Sequence, residues 1–209
     1  MEDSTSRASS TVTKADKTSF REFVLMFQDD VNLRYGTGTN GTAVPKLPQA
    51  EDPEDSGQKA FNYRTEPLWA RMGFAPDAPL ETTRSLDFTH ALSNTLTGAD
   101  PVTPVFTTKV GMPVRFRVLE PAGHARNHVF QVHGHNWDQL PYTNGSTVLG
   151  PRAVSERKGS QFGHGPGGHF DMLLSSAGGV FQAPGDYLFR DQSSFQFDGG
   201  LWGILRVQP

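Results

Sequence analysis

The residues in this sequence best suited to chemistry are its histidines, because six of the seven lie between residues 124 and 169. His133 and His135 are two positions apart, a spacing that places both imidazoles on one face of a strand, where they can share a metal ion. Imidazole nitrogen is a good ligand for copper, zinc and iron. His128 has the opposite parity and joins this pair only through a bulge or twist of the strand. The spacing predicts a metal site at His128, His133 and His135.

A second pair, His164 and His169, flanks the Gly-Pro-Gly-Gly segment 165–168, where the backbone can approach a ligand closely. These two residues complete the predicted site if the loop folds over the sheet. The alternative for each of these histidines is a structural role, with its ring nitrogens hydrogen-bonded to the backbone or to solvent.

The sequence contains no cysteine. This excludes a disulfide, a thiol nucleophile, an iron–sulfur cluster and any thiolate-bound metal. A blue-copper centre needs a cysteine thiolate beside two histidines, so this chain cannot form one alone.

Composition excludes several other classes of protein. The chain has 209 residues and a formal net charge of −3, which gives no reason to expect nucleic-acid binding. No apolar run is long enough for a membrane-spanning helix. No Gly-X-Ser-X-Gly elbow indicates a serine hydrolase.

The elements that must position the histidines are predicted to be strands. Segment 20–27 is rich in Phe and Val, and the segment around Val114, Phe116 and Val118 alternates apolar with charged residues. Four more strands are expected in segments 128–137, 169–176, 185–191 and 201–207. Pro67 is placed to begin a short helix that runs through Arg71. Short strands separated by Gly-containing turns predict an antiparallel sandwich or barrel.

The remaining segments are predicted to be irregular or only weakly structured. Residues 1–17 are polar and rich in Ser and Thr, and we expect a flexible tail followed by a single domain over 18–209. Residues 36–57 and 143–168 read as long loops, and 76–94 as mixed, with one short helix. The acidic residues at 51–55 favour a solvated loop over a cation site.

Several segments together resemble a cupredoxin domain of the multicopper oxidases, including the large bacterial copper and manganese oxidases. They are REFVLMFQD at 21–29, NYRTEPLWAR at 62–71, GMPVRFRV at 111–118, HVFQVHGHNW at 128–137, HFDMLLSSAGG at 169–179, PGDYLFRD at 184–191 and GGLWGILRV at 199–207. The resemblance implies an all-β fold, a cupredoxin-like Greek-key β-sandwich. It also implies that a tyrosine near the start of segment 184–191 pins a loop through its hydroxyl.

The copper-ligand motifs of that family are altered in this chain. Its first motif matches His128, Gln131 and His133, so a glutamine stands at the middle ligand position, while His135 matches a histidine that is not a ligand. Its last motif matches Arg190, Asp191, Gln192 and Gln196, and the axial methionine is replaced near Leu201 or Trp202. Arg190 would place a positive charge where a copper ligand is expected.

Two functions follow from these residues. In the first, the chain is a cupredoxin domain degenerate in its copper ligands, with a structural role in contacting other cupredoxin domains or copies of itself. In the second, it is a copper-dependent oxidase or copper-binding protein that uses His128, His133 and His135. A cupin-like barrel with another metal is less well supported, because the required His/Glu spacing is missing. The resemblance suggests a secreted or periplasmic protein, although residues 1–17 do not read as a signal peptide.

Overall fold

The computed structural model of the chain describes residues 8–31, 58–73, 92, 99–123, 127–139, 156–160, 163–192 and 197–209. Within these ranges it contains ten strands and one short helix. In chain order they are β1 (Ser9–Thr13), β2 (Ser19–Val31), β3 (Gln58–Phe61), α1 (Leu68–Arg71), β4 (Val105–Lys109), β5 (Val114–Leu119), β6 (Phe130–Gln139), β7 (Glu156–Ser160), β8 (His169–Leu174), β9 (Gly185–Asp191) and β10 (Trp202–Gln208).

The strands form a mixed sheet in the order β1-β2-β5-β8-β6-β9-β10-β4, with β3 paired to β2 and β7 paired to β6. The β2–β5 and β10–β4 pairs are parallel, and the other pairs are antiparallel. Strands that are neighbours in the sheet but distant in sequence require crossover connections. The all-β class predicted from the sequence is therefore confirmed.

Phenylalanine rings fill the space enclosed by the sheet. Phe23 of β2 stacks on Phe106 of β4 with ring centroids 4.6 Å apart, although these strands lie near opposite ends of the strand order. Phe106 also stacks on Phe189 of β9 at 5.6 Å. All three rings are buried. The sheet therefore curls until its two ends pack against each other across one aromatic core.

Several local predictions are confirmed. Strand β5 buries Val114, Phe116 and Val118 and turns the residues between them outward, as the alternation predicts. Pro67 caps α1, which ends at Arg71. The hydroxyl of Tyr187 donates a hydrogen bond to the carbonyl of Ala183 at 2.8 Å, so it holds the β8–β9 turn as the resemblance implies.

Two segments contain strands that the sequence prediction placed in irregular regions. Ser9–Thr13 of the expected tail form β1, which pairs with Ser19–Phe23 of β2. The edge of the sheet supplies hydrogen bonds for a polar segment that has little apolar surface of its own. Glu156–Ser160 form β7 on β6, within the expected loop 143–168. The predicted loop 36–57, and the predicted helix in 76–94 apart from Leu92, lie outside the described residues.

Among the described residues, no helix has the length and hydropathy needed to cross a membrane.

Candidate functional site

Six polar residues from distant parts of the sequence meet, each in or beside a different one of six strands. Asp29 lies near the end of β2, Lys59 lies in β3, Glu120 follows β5, His128 precedes β6, His164 precedes β8, and Asp191 ends β9. The main chains of His128 and His164 form two hydrogen bonds of 2.7 and 2.9 Å, which join the segments that lead into β6 and β8. We call these residues the His128 cluster; they are Asp29, Lys59, Glu120, His128, His164 and Asp191.

His128 is fully buried and lies between carboxylates on both sides of its ring. Its Nδ1 contacts Oδ2 of Asp191, whose other oxygen accepts a hydrogen bond from the Val129 amide at 3.1 Å. Its Nε2 lies 3.5 Å from Oδ2 of Asp29 and 3.5 Å from Oε1 of Glu120. Burial opposes the charged imidazole, but these carboxylates outweigh it and raise the pKa of His128 to about 10.

Asp29 forms a second ionic contact within the cluster. Its Oδ1 contacts Nζ of Lys59, and both side chains are almost completely buried. Burial opposes ionisation of this carboxyl, but His128 and Lys59 hold its pKa well below the usual range. Asp29 is therefore an anion paired with cations on two sides.

Glu120 is in a different electrostatic position. Its side chain is fully buried, and neither carboxylate oxygen forms a hydrogen bond. Its Oε2 lies 3.6 Å from Nε2 of His164. Burial, opposed by the charge of His128 and reinforced by Asp29 and Asp191, raises the pKa of Glu120 to about 7. This carboxyl is therefore poised between its neutral and charged forms near neutral pH.

Aromatic rings form one wall of the cluster, and a cavity adjoins it. The Phe27 ring contacts the rings of His128 and His164, with centroid distances of 5.1 and 4.9 Å. A cavity of about 550 Å³ lies beside Asp29. It is lined by Phe27, Gln28, Asp29, Val31, Tyr63, Pro121, Ala122 and Gly123.

His133 and His135 do not share one environment, contrary to the expectation from their spacing. His133 is exposed, whereas His135 is buried. Gly134 between them has a φ of +71°, and the pairing of β6 with β7 is irregular between Gln131 and Asn136. This left-handed residue interrupts the alternation of faces on which the prediction depended.

Both ring nitrogens of His135 are used within the protein. Nδ1 lies 2.9 Å from the carbonyl of His133, and Nε2 accepts a hydrogen bond from the Gly178 amide at 3.0 Å. These contacts define a neutral ring that donates from Nδ1, and burial lowers the pKa of His135. The contacts match the structural alternative considered for this residue.

The positions that resemble the other copper ligands also make contacts within the protein. The Arg190 guanidinium donates a hydrogen bond to Oε1 of Gln131 at 3.2 Å and lies over the ring of Phe197, 4.9 Å from its centroid. Leu201 and Trp202, near the expected axial position, are fully buried in apolar clusters. Gln196 lies outside the described residues, as do His90 and His124.

The two outer histidines occupy separate environments. The side chain of His164 is largely buried and belongs to the His128 cluster, whereas His169 is exposed at the start of β8. In the described part of the chain, no three or more His, Asp or Glu side chains are already arranged as a metal-binding group. The proposed metal site at His128, His133 and His135 therefore remains a prediction.

Sequence reasoning missed Asp29, Lys59 and Glu120 as members of a site. Asp29 lies in a polar run, Gln-Asp-Asp, that reads as the solvated end of a strand. Lys59 and Glu120 belong to no motif that the sequence analysis identified. The resemblance matched His128 and Asp191 to copper-ligand motifs, but it gave no signal for Asp29, Lys59 or Glu120.

Comparisons with known proteins find a fold likeness alone. No family model and no curated protein matches the sequence. Fet3p, a multicopper oxidase that functions in iron import, has a TM-score of 0.45 and 14% identity over 89% of this chain and 31% of its own. A copper-containing nitrite reductase from Thermus scotoductus has a TM-score of 0.45 and 14% identity over 90% of this chain and 30% of its own.

A blue copper oxidase from Nitrosomonas europaea has a TM-score of 0.43 and 17% identity over 89% of this chain and 43% of its own. The chain thus spans less than half the length of each of these three structures. They are multicopper oxidases and a related copper protein, the class that the sequence resembles. At this distance they carry no information about the ligands or activity of this chain.

Proposed function

We propose that this chain is a cupredoxin-type domain of a multicopper-oxidase-like protein. In this domain, the residues at the copper-ligand positions contact other residues of the chain instead of copper. Its role is to hold or contact other cupredoxin domains, or copies of itself, rather than to carry a redox copper. The observation that carries this proposal is the bonding of His128, whose Nδ1 contacts Asp191 and whose Nε2 faces Asp29 and Glu120.

The neighbouring positions support the same conclusion. Arg190 and Gln131 bind each other, and the Arg190 side chain brings a fixed positive charge to the strand that would complete a copper centre. His135 has both nitrogens engaged by the backbone. A copper ion at these positions would have to displace contacts that the folded chain already makes.

Copper retention tests this proposal. The full chain is loaded with Cu²⁺, dialysed against a weak chelator, and examined by elemental analysis and electron paramagnetic resonance. We expect any copper that the wild type retains to be retained equally by His133→Ala, a substitution at an exposed position. Stoichiometric copper with a nitrogen-ligated signal that disappears in His133→Ala would contradict the proposal.

A second candidate function, copper binding by nitrogen ligands at His128, His133 and His135, is favoured by one observation. The imidazole of His133 is exposed on β6 and accessible to a copper ion from solvent or from a partner domain. The same comparison of wild type with His133→Ala distinguishes this function from the structural one.

A further inference from the structure

The turn between β8 and β9 carries two large apolar side chains into solvent. Val180 is 81% exposed and Phe181 is 93% exposed, the highest values among the large hydrophobic residues that the structure describes. They are the central residues of a tight turn, which a hydrogen bond of 3.1 Å from the Gln182 amide to the Gly179 carbonyl closes. Such positions usually hold Gly, Pro, Asn, Asp or Ser. Two adjacent apolar side chains at this place, which we call the Val180–Phe181 tip, indicate a contact outside the chain.

The main chain holds the Val180–Phe181 tip in a defined conformation. The Gly178 amide donates a hydrogen bond to Nε2 of His135 at 3.0 Å, and the Ala183 amide donates one to the Gly178 carbonyl at 3.0 Å. Gln182 has a φ of +46°, in the left-handed region that is unfavourable for a residue with a side chain. The tip is therefore a fixed structure that presents both side chains to solvent.

Two other turns lie at the same end of the sheet. The Ala177 amide donates a hydrogen bond to the Met112 carbonyl at 2.9 Å, which joins the β8–β9 turn to the β4–β5 turn. The Arg21 amide donates one to the Pro113 carbonyl at 2.9 Å, so β2 begins beside the β4–β5 turn. The β1–β2 turn, which precedes β2, is thus placed at this end as well.

Exposed lysines surround the Val180–Phe181 tip. Lys14 and Lys17 lie in the β1–β2 turn, and Lys109 ends β4. All three residues are exposed. Asp16 is the one acidic residue in the three turns, and its carboxylate lies 3.6 Å from Nζ of Lys14. The turns therefore carry an excess of positive charge.

Charged residues just inward of the turns balance each other. Arg206 binds Asp100 and Asp186 at 2.8 Å each. Arg21 donates a hydrogen bond to the carbonyl of Thr107, which is the partner of Arg206 in the β4–β10 pair. These two arginines and two aspartates cancel, so the turns stay positive although the whole chain has a net charge of −3. A positive end on an acidic chain is complementary to an anionic surface.

The size of the tip favours a lipid surface over a protein partner. A stable protein–protein interface buries about 800 Å² on each partner, and two side chains at a convex turn supply only a fraction of that area. A bilayer interface accepts single aromatic and aliphatic side chains, and lysines beside them interact with anionic headgroups. The combination of an apolar tip and flanking lysines matches this second kind of contact.

We propose that the Val180–Phe181 tip inserts into the interface of an anionic lipid bilayer, with Lys14, Lys17 and Lys109 at the level of the headgroups. The apolar side chains leave water on insertion, and the lysines supply the attraction to anionic lipid. This peripheral contact goes beyond the structural role proposed above and does not depend on it.

Vesicle binding by the full chain tests the proposal. The protein is sedimented with vesicles of phosphatidylcholine and phosphatidylglycerol, or of phosphatidylcholine alone, over a range of lipid concentrations. We expect binding to the anionic vesicles that weakens with added salt. Val180→Ser combined with Phe181→Ser should weaken binding by about 10-fold or more, because the inserted apolar area is lost. Lys17→Gln combined with Lys109→Gln should also weaken it by about 10-fold or more.

Tyr63→Ser is the matched control, because it removes an aromatic side chain that is 77% exposed in the β3–α1 turn. This variant should bind vesicles as the wild type does. The serine and glutamine variants should keep the Tm of the wild type, since all the substituted residues are exposed.

A wild type that does not bind anionic vesicles would overturn the proposal. Equal binding by the wild type and the double serine variant would also overturn it, since charge alone would then account for the attraction. Loss of binding in Tyr63→Ser would place the contact elsewhere on the chain. Sedimentation equilibrium without lipid tests the other occupant: an oligomer that dissociates in the double serine variant, in a protein that does not bind vesicles, would assign the tip to a second copy.

Discussion

At the scale of single residues, the contact between His128 and Asp191 joins the start of β6 to the end of β9. Both residues are fully buried, and Asp191 is one of three carboxylates that face the imidazole of His128. Removing one partner of a buried ion pair leaves part of the remaining charge uncompensated, which is costly.

Asp191→Asn should therefore destabilise the protein by about 3–5 kcal/mol, as measured by urea unfolding. The matched control is Asp186→Asn, which removes a partly exposed carboxylate that binds Arg206 at 2.8 Å. Exposed pairs contribute about 0–1 kcal/mol, so this control should have little effect. Equal effects of the two substitutions would show that the buried pair has no special role.

The raised pKa of Glu120 predicts that the free energy of unfolding depends on pH. Its pKa is raised from 4.5 to about 7, so the folded chain binds a proton that the unfolded chain releases between these values. This contribution to stability is fully present below pH 4.5 and is lost as the pH rises through about 7, with a slope of at most about 1.4 kcal/mol per pH unit.

Urea unfolding across this pH range, in the presence of a chelator, measures the effect. Glu120→Gln keeps the shape of the side chain but removes its titration, so its stability should fall less over the same interval. Parallel curves for wild type and variant would contradict the assignment of this proton to Glu120.

At the scale of elements, the bend in β6 decides which histidine enters the core. Gly134 has a φ of +71°, and a Cβ at this position would lie 2.9 Å from the Tyr187 ring. The ring of Tyr187 in turn packs edge-on against His135 with a centroid distance of 4.6 Å. Gly134 therefore permits both the bulge and the close approach of β9.

Gly134→Ala should destabilise the chain by about 1–3 kcal/mol, because it adds left-handed backbone strain to a steric clash. Gly167→Ala is the control, since Gly167 has a φ of +84° but no atom within 4 Å of the point that a Cβ would occupy. The difference between the two melting temperatures isolates the clash with Tyr187. Identical effects would mean that the ring moves aside without cost.

Strands β2, β5, β6, β8, β9 and β10 could be predicted from the sequence, whereas β1, β7, the bend in β6 and the His128 cluster could not. The alternation of apolar and charged residues around Phe116 indicates which face of β5 is buried. A shared face for His133 and His135 requires an unbroken strand, and a single left-handed glycine interrupts it. The cluster depends on crossover topology, which brings Asp29, Glu120 and Asp191 together from separate strands.

At the scale of the whole molecule, one curled sheet explains both the aromatic core and the position of the cluster. Phe23 and Phe106 close the apolar interior where the ends of the sheet meet. Polar residues at the ends of β2, β5 and β9 then converge at the His128 cluster. The positions that the sequence resemblance matched to copper ligands thus include His128, in the ionic cluster, and the Arg190–Gln131 pair.

The central claim is that this domain carries no redox copper. Its most direct test is steady-state oxidation of Fe(II), Mn(II) and a phenol by the copper-loaded, chelator-washed full chain. Free copper at the same total concentration is the reference. We predict rates no higher than this reference, because the chain has no cysteine and the expected ligand positions contain Gln131 and Arg190. Turnover above that of free copper would contradict the proposed structural role.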